Sequence, residues 1–262
     1  MSQEIIQIDS FTDKPFAGNP AAVCIMEKAA DPEWMQQVAR EMNLSETAFL
    51  YPIDGGYHLR WFTPTVEVEL CGHATLASAH LLYEDGHEAK DKAIRFVTLS
   101  GELVATYQDG WVRLDFPANP PEVLEPTEAL TRAAGFAFKA AARAKGRTLV
   151  ELASEQAVRA FQPDFGAIRS LPTGRLIVTA QSSTAGIDFV SRFFAPGIGI
   201  NEDPVTGSAH TVLGPYWKER LGKSEFTAYQ ASARGGYIRV RVSGDRVFIR
   251  GQAVTVMRGE LM

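Results

Sequence analysis

The sequence predicts an α+β protein built from two similar halves, each rich in strands and organised around one long helix. Three observations carry that prediction. A sequence repeat recurs at about half the chain length, strand-length apolar runs fill both copies, and a glycine opens a helix at the same point of each.

The repeat is clearest where RWFTPTVEV at 60–68 meets RFFAPGIGI at 192–200, a spacing of 132 residues. Arg60 then pairs with Arg192, Phe62 with Phe194 and Pro64 with Pro196. Three extra residues in the second copy bring Gly72-His73-Ala74 against Gly207-Ser208-Ala209 at 135. GELVATYQDG at 101–110 faces GGYIRVRVSG at 235–244 at a spacing of 134, and WVRLDF at 111–116 faces RVFIRG at 246–251 at 135. Four segments in one order at nearly constant spacing indicate duplication.

In chain order, EIIQIDSF and AAVCIM read as strands by alternation or apolar continuity. A helix is expected from Asp31, a capping residue followed by Pro32 at the first helical position, to about Asn43. ETAFLYP and YHLRWFT are strands around the turn Asp54-Gly55-Gly56. Gly72 to Glu84 is helical, with Leu76, Ala79, His80 and Tyr83 at helical spacing. The second half repeats this grammar: a strand at TLVEL, a helix after Ser154, strands at RLIVTA and DFVSRFF, and a helix from Gly207 to about Leu221. Strands at YIRVRV, RVFIR and AVTVM close the chain. The proline-rich PANPPEVLEP marks the linker within 117–130. The halves are therefore set at 1–118 and 119–262, with the chain end able to cross back to the first.

Composition narrows the function. Thirty-one acidic and 26 basic residues give a net charge of −5, which offers nucleic acid no electrostatic footing. The basic cluster Arg132, Lys139, Arg143, Lys145 and Arg147 reads as a solvated face. No run approaches the roughly 18 apolar residues of a membrane span. Met1 to Asp9 lacks the apolar core of a signal peptide. Two cysteines, Cys24 and Cys71, make no disulfide framework, so a cytoplasmic location is expected.

Duplicated halves are expected to face each other across a cleft, with the helices at Gly72 and Gly207 pointing their N-termini into it. Helix N-termini carry unpaired N–H groups and partial positive charge, and so suit a carboxylate. Glu46, in NLSETAFL, stands at the start of an apolar strand. If it turns inward its pKa rises and it becomes a usable general base; if it turns outward it is an ordinary strand-end glutamate. His73 in a helix's first turn is either a structural histidine or a neutral imidazole donating one hydrogen bond. Ser208 and Asp203 have plain alternatives too, a helix-start hydroxyl and a turn-forming aspartate. No metal motif is present among the five histidines and two cysteines, nor any glycine-rich nucleotide loop. Cys71, just before a helix N-terminus, is the competing acid or base. The matching region of the second half holds Asp203-Pro204-Val205 and no second thiol, which argues against a two-cysteine mechanism. Cys24 lies in an apolar strand and is expected in the core.

IDSFTDKPFAGNPAAVCIM, NLSETAFL, ELCGHATLASAHLL and NEDPVTGSAH, in that order, resemble the PhzF-like (phenazine biosynthesis-like) family from about residue 5 to the C-terminus. The resemblance implies the diaminopimelate-epimerase-like fold: two pseudo-symmetric halves, each a mostly antiparallel sheet wrapped around a central helix. It implies that Glu46 moves a proton, that His73 and Asp203 assist, and that Ser45, Gly72, Gly207 and Ser208 hold substrate. The expected protein is a cofactor-independent isomerase acting on a small carboxylate-bearing substrate, as a homodimer. A non-catalytic binding protein and an amino-acid epimerase are the alternatives.

Overall fold

The structure, a computed structural model, describes residues 2–135 and 137–262. The chain forms two compact units. The first runs to Phe116 and takes back Ile249–Met262; the second is Pro117–Phe248.

The first unit begins with β1 (Gln3–Ser10), β2 (Asn19–Ile25), α1 (Pro32–Met42), β3 (Glu46–Ile53), β4 (Gly56–Phe62) and β5 (Glu67–Val68). It continues through α2 (Gly72–Glu84), β6 (Ile94–Thr98), β7 (Gly101–Gln108) and β8 (Trp111–Pro117). Antiparallel pairs dominate, joined by parallel steps from β2 to β3 and from β4 to β6. α1 starts where its cap predicts: the Asp31 carboxylate accepts from the Glu33 amide at 2.9 Å, and Asn43 ends the helix in a left-handed conformation. It buries one face only, Met35, Val38 and Ala39. α2 buries eleven of its thirteen residues, so it must be enclosed on all sides; this is the central helix.

The second unit opens with β9 (Glu122–Val123) and α3 (Glu128–Ala134), then β10 (Ala140–Ala144), β11 (Arg147–Glu151), α4 (Glu155–Ala160) and α5 (Phe165–Arg169). β12 (Leu176–Gln181), β13 (Phe189–Ala195) and β14 (Ile200–Asp203) follow. A 3₁₀ turn over Gly207–Ala209 leads into α6 (His210–Leu221), then β15 (Glu225–Gln230), β16 (Gly236–Ser243) and β17 (Arg246–Gly251). β18 (Ala253–Leu261) belongs to the first unit, where it pairs antiparallel with β1. α6 is buried continuously from His210 to Trp217 and is the central helix of its unit. It lies so close to β16 that a Cβ on Gly214 would stand 3.0 Å from the side chains of Val240 and Val242. No described helix is long and apolar enough to cross a membrane.

The duplication extends to strand register. Tyr57 pairs with Phe96 across β4 and β6, and Phe189 with Ala228 across β13 and β15. Both partners are displaced by the repeat spacing. One segment shifts by a residue from the sequence alignment. Ile94 pairs with Ala105 and Phe226 with Val240, which aligns β7 with β16 at 135 and not at 134. The alternation explains it: a spacing of 134 sets buried Leu103 against exposed Tyr237, whereas 135 sets it against buried Ile238. The connection over residues 231–235 is three residues longer than residues 99–100 in the first unit and takes the spacing from 132 at β15 to 135 at β16.

A side-chain device is duplicated as well. Arg60 makes a two-pronged ion pair with Glu67, at 2.7 and 2.8 Å, and lies over the Phe62 ring. Arg192 does the same with Glu202, at 2.7 and 2.8 Å, over Phe194. The three inserted residues fall between the members of the second pair and are accommodated by a 3₁₀ turn over Pro196–Ile198.

Candidate functional site

In each unit, polar side chains gather where the central helix begins. In the first, Glu46 is the opening residue of β3 and is 9% exposed. Its neighbour Phe49 packs in the outer cluster with α1. Strand alternation sends Glu46 to the other face, toward α2. His73, the second residue of α2, is buried. Its Nε2 lies 3.3 Å from Glu46 Oε2, and its Nδ1 lies 3.4 Å from Cys71 Sγ. The Glu46 approach is an ion-pair distance without the alignment of a good hydrogen bond. Such contacts commonly tighten only when substrate is bound.

Burial pushes the His73 pKa down to about 3, so the ring is neutral near pH 7 and carries one proton. With Glu46 as a carboxylate, the consistent tautomer places that proton on Nε2 and leaves Nδ1 to accept from the Cys71 thiol. Glu46, Cys71 and His73 each bring one potential donor atom to within 4.8 Å of the others. The two contacts use opposite nitrogens of the ring, an arrangement better suited to passing a proton than to chelating one ion. Ser10 Oγ donates to the His73 carbonyl at 2.8 Å and anchors the helix start. The connection after Ser10 turns so tightly that a Cβ on Gly18, at φ +63°, would fall 2.1 Å from the Ser10 carbonyl oxygen. Sequence reasoning did not single out Ser10; its partner is 63 residues away and no local pattern marks it.

Among the described residues, α2 has no side-chain bond from its N-cap. Cys71 occupies the N-cap without a capping bond, and the Thr75 amide is the first to reach back, to the Cys71 carbonyl at 3.2 Å. Ser45 is half-buried directly ahead of β3. Cys24 sits in the core, where burial pushes its thiol up to about 12.

The second unit arranges different groups on the same frame. Asp203, the last residue of β14, accepts from Thr206 Oγ1 at 2.5 Å. Buried Gln230 braces this turn. Its Oε1 accepts from the Thr206 amide at 2.8 Å, and its Nε2 donates to the Asp203 carbonyl at 2.8 Å and to Thr206 Oγ1 at 3.1 Å. Thr206 occupies the place of Cys71, and its carbonyl accepts from His210 Nδ1 at 2.9 Å, as the Cys71 carbonyl accepts from Thr75 Oγ1 at 2.6 Å. Burial lowers the His210 pKa to about 4. Gly207 begins the 3₁₀ turn, with no side-chain cap from Thr206.

Ser208 Oγ accepts from Arg147 Nη2 at 2.7 Å. This corrects the reading of the basic cluster. Arg132, Lys139, Arg143 and Lys145 are exposed, but Arg147 starts β11 and turns toward the head of α6. Strand alternation after the Lys145-Gly146 turn was the signal that could have separated it from its neighbours. The structure thus brings Glu46 and His73 together, with Cys71, in one unit. It brings Asp203, Gly207 and Ser208 together, with Arg147, in the other.

The chain matches the family model for phenazine biosynthesis-like proteins over residues 8–259. A protein of Halalkalibacterium halodurans named an uncharacterized isomerase is 50% identical, over 100% of this chain and 99% of its own. A Pseudomonas aeruginosa protein with the same kind of name is 47% identical over 100% of this chain and 99% of its own. The crystal structure of a PhzF-family protein from Enterococcus faecalis is 41% identical, with a TM-score of 0.96 and 100% of both chains covered. The chain belongs to the phenazine biosynthesis-like family and has its diaminopimelate-epimerase-like fold, and its full-length relatives make it an enzyme of the isomerase class.

Proposed function

We propose that this phenazine biosynthesis-like protein is a cofactor-independent isomerase that moves a proton within a small carboxylate-bearing molecule. The observation that carries the reading is the approach of Glu46 to a neutral, buried His73 at 3.3 Å. Glu46 takes a proton from carbon and returns it to another carbon, or to the opposite face of the same one. His73 offers an N–H to the developing negative charge without adding a full positive charge that would lower the basicity of Glu46. In the first unit the uncapped amide at Gly72 holds the carboxylate or enolate and Ser45 orients it, while the Gly207 amide, Ser208 and Asp203 form the corresponding polar head in the second unit. Positioned N–H dipoles supply the carbanion stabilisation, so the scheme requires no cofactor. A cytoplasmic homodimer is part of the same reading.

The test is hydrogen exchange. The full chain is incubated in heavy water with a panel of small carboxylates, and loss of a substrate C–H signal is followed by NMR. One carboxylate should exchange, and Glu46→Gln should slow that exchange by roughly 10² or more while still binding it. Exchange that inverts a centre without shifting a double bond identifies an epimerase. No exchange across the panel favours a binding protein, and near-normal exchange in Glu46→Gln moves the proton to another group, Asp203 first.

A further inference from the structure

The second unit contains a pair of half-buried arginines, Arg147 and Arg175, that the proton-transfer scheme does not use. Thr47 pairs with Phe62 in the first unit and Leu176 with Phe194 in the second, and Phe62 and Phe194 are repeat partners. Arg175 therefore occupies the place of Glu46. The parallel neighbours agree: Ala22 pairs with Thr47 and Thr148 with Leu176, which sets Arg147 in the place of Ala21. Two guanidinium groups stand side by side at the ends of adjacent parallel strands.

They share a face of the sheet. Val150, Leu176 and Val178 pack in the outer cluster with α4 and α5, so Arg147, Arg175 and Thr179 point the other way. That face meets α6, since Trp217 Nε1 donates to Thr179 Oγ1 at 3.1 Å. Arg147 reaches Ser208 at the head of the helix. The Nε atoms of both arginines are buried without a hydrogen-bond partner among the described residues. Arg175 forms no ion pair among the described residues, and Asp203 is the acidic group that favours the charge on Arg147. Burial and the neighbouring Arg175 together lower the Arg147 pKa to about 10. Like charges in a shielded place oppose folding unless something of opposite sign sits with them, and one carboxylate against two guanidiniums leaves an excess of one positive charge.

We propose that Arg147 and Arg175, with the Ser208 hydroxyl at the head of α6, form an oxyanion-binding site for the carboxylate or phosphate group of a small ligand. A planar guanidinium pair matches either group with several parallel N–H donors.

The test uses the full chain as wild type, Glu46→Gln and Arg175→Gln, titrated with inorganic phosphate, succinate and propionate. Binding is read by calorimetry and by the thermal unfolding midpoint. Phosphate or succinate should bind saturably to wild type and Glu46→Gln alike, better than propionate, and at least tenfold more weakly to Arg175→Gln. Without anion, Arg175→Gln should unfold at the same temperature as wild type or higher, because one of two repelling charges has gone. Preference for phosphate or for succinate names the group the site takes. The site is overturned by absence of saturable binding, by equal affinity in Arg175→Gln, or by a clear fall in its anion-free midpoint, which marks Arg175 as structural. Because Glu46→Gln keeps the arginines, anion binding and C–H exchange fail independently.

Discussion

The two units run the same strands in the same registers around the same kind of buried helix, yet the heads of those helices carry opposite charge. Where the first unit places Glu46, His73 and Cys71, the second places Arg175, Ser208 and Thr206, with Arg147 added where the first has Ala21. The Arg60–Glu67 and Arg192–Glu202 pairs persist almost unaltered, over the same aromatic rings. What was retained after duplication is the framework; what diverged is a short inner row of side chains at the start of each central helix. That division lets one fold present a carboxylate in one half and cations in the other.

The largest expected effect separates the paired scaffolds. Arg192 also donates to the Phe161 carbonyl at 2.7 Å, a bond for which Arg60 shows no counterpart among the described residues, and its side chain is 12% exposed against 19%. Arg192→Ala leaves Glu202 and a buried carbonyl without that donor and should cost about 3–5 kcal/mol in denaturant unfolding. Arg60→Ala should cost about 1–3 kcal/mol. Equal losses would show that the two pairs are equivalent in energy as well as in geometry.

Acid should act on both units through buried imidazoles, most strongly through His73 in the first, where burial also lowers His58 and His80, and through His210 in the second. His73 and His210 have folded pKa values of about 3 and about 4, below the ordinary 6.5. The unfolded chain therefore binds protons that the folded chain does not, and stability falls as pH drops below about 6.5. At pH 5 the loss is about 2 kcal/mol for each histidine relative to pH 8. Replacing His210 with Gln should remove about 2 kcal/mol of the pH dependence between pH 8 and pH 5, measured by urea unfolding. An unchanged slope would place the acid sensitivity elsewhere.

The smallest effect concerns Cys71. It sits 3.4 Å from His73 Nδ1, while its counterpart Thr206 holds Asp203. If the thiol only steadies the ring, Cys71→Ala should slow C–H exchange by a few-fold at most, against roughly 10² for a group that transfers the proton. A folded Cys71→Ala protein that binds ligand but barely exchanges would overturn the single-carboxylate mechanism.

The sequence made the repeat, the capped start of α1 and both central helices legible, because these depend on local signals: a cap, a proline, a glycine, an apolar alternation. Glu46 and His73 could be named from their place beside such signals and from the family motifs. Arg147 was lost in a run of basic residues, since charge composition does not say which strand face a side chain takes. Arg175 became visible only through ladder register, and Gln230 only through bonds to residues 24 and 27 positions away. The alanine-rich β10 carries too little alternation to mark it as a strand, although it pairs fully with β11.

The return of β18 to the first unit has a consequence for biosynthesis. β1 is flanked by β2 on one side and β18 on the other, with Gln3 opposite Leu261. During translation at about 5–20 residues per second, one edge of β1 waits on the order of tens of seconds for its partner. The segment Pro117–Phe248 is continuous and emerges complete before then. The N-terminal unit is therefore first to be synthesised and last to be closed, with an open strand edge as its exposed liability in the interval.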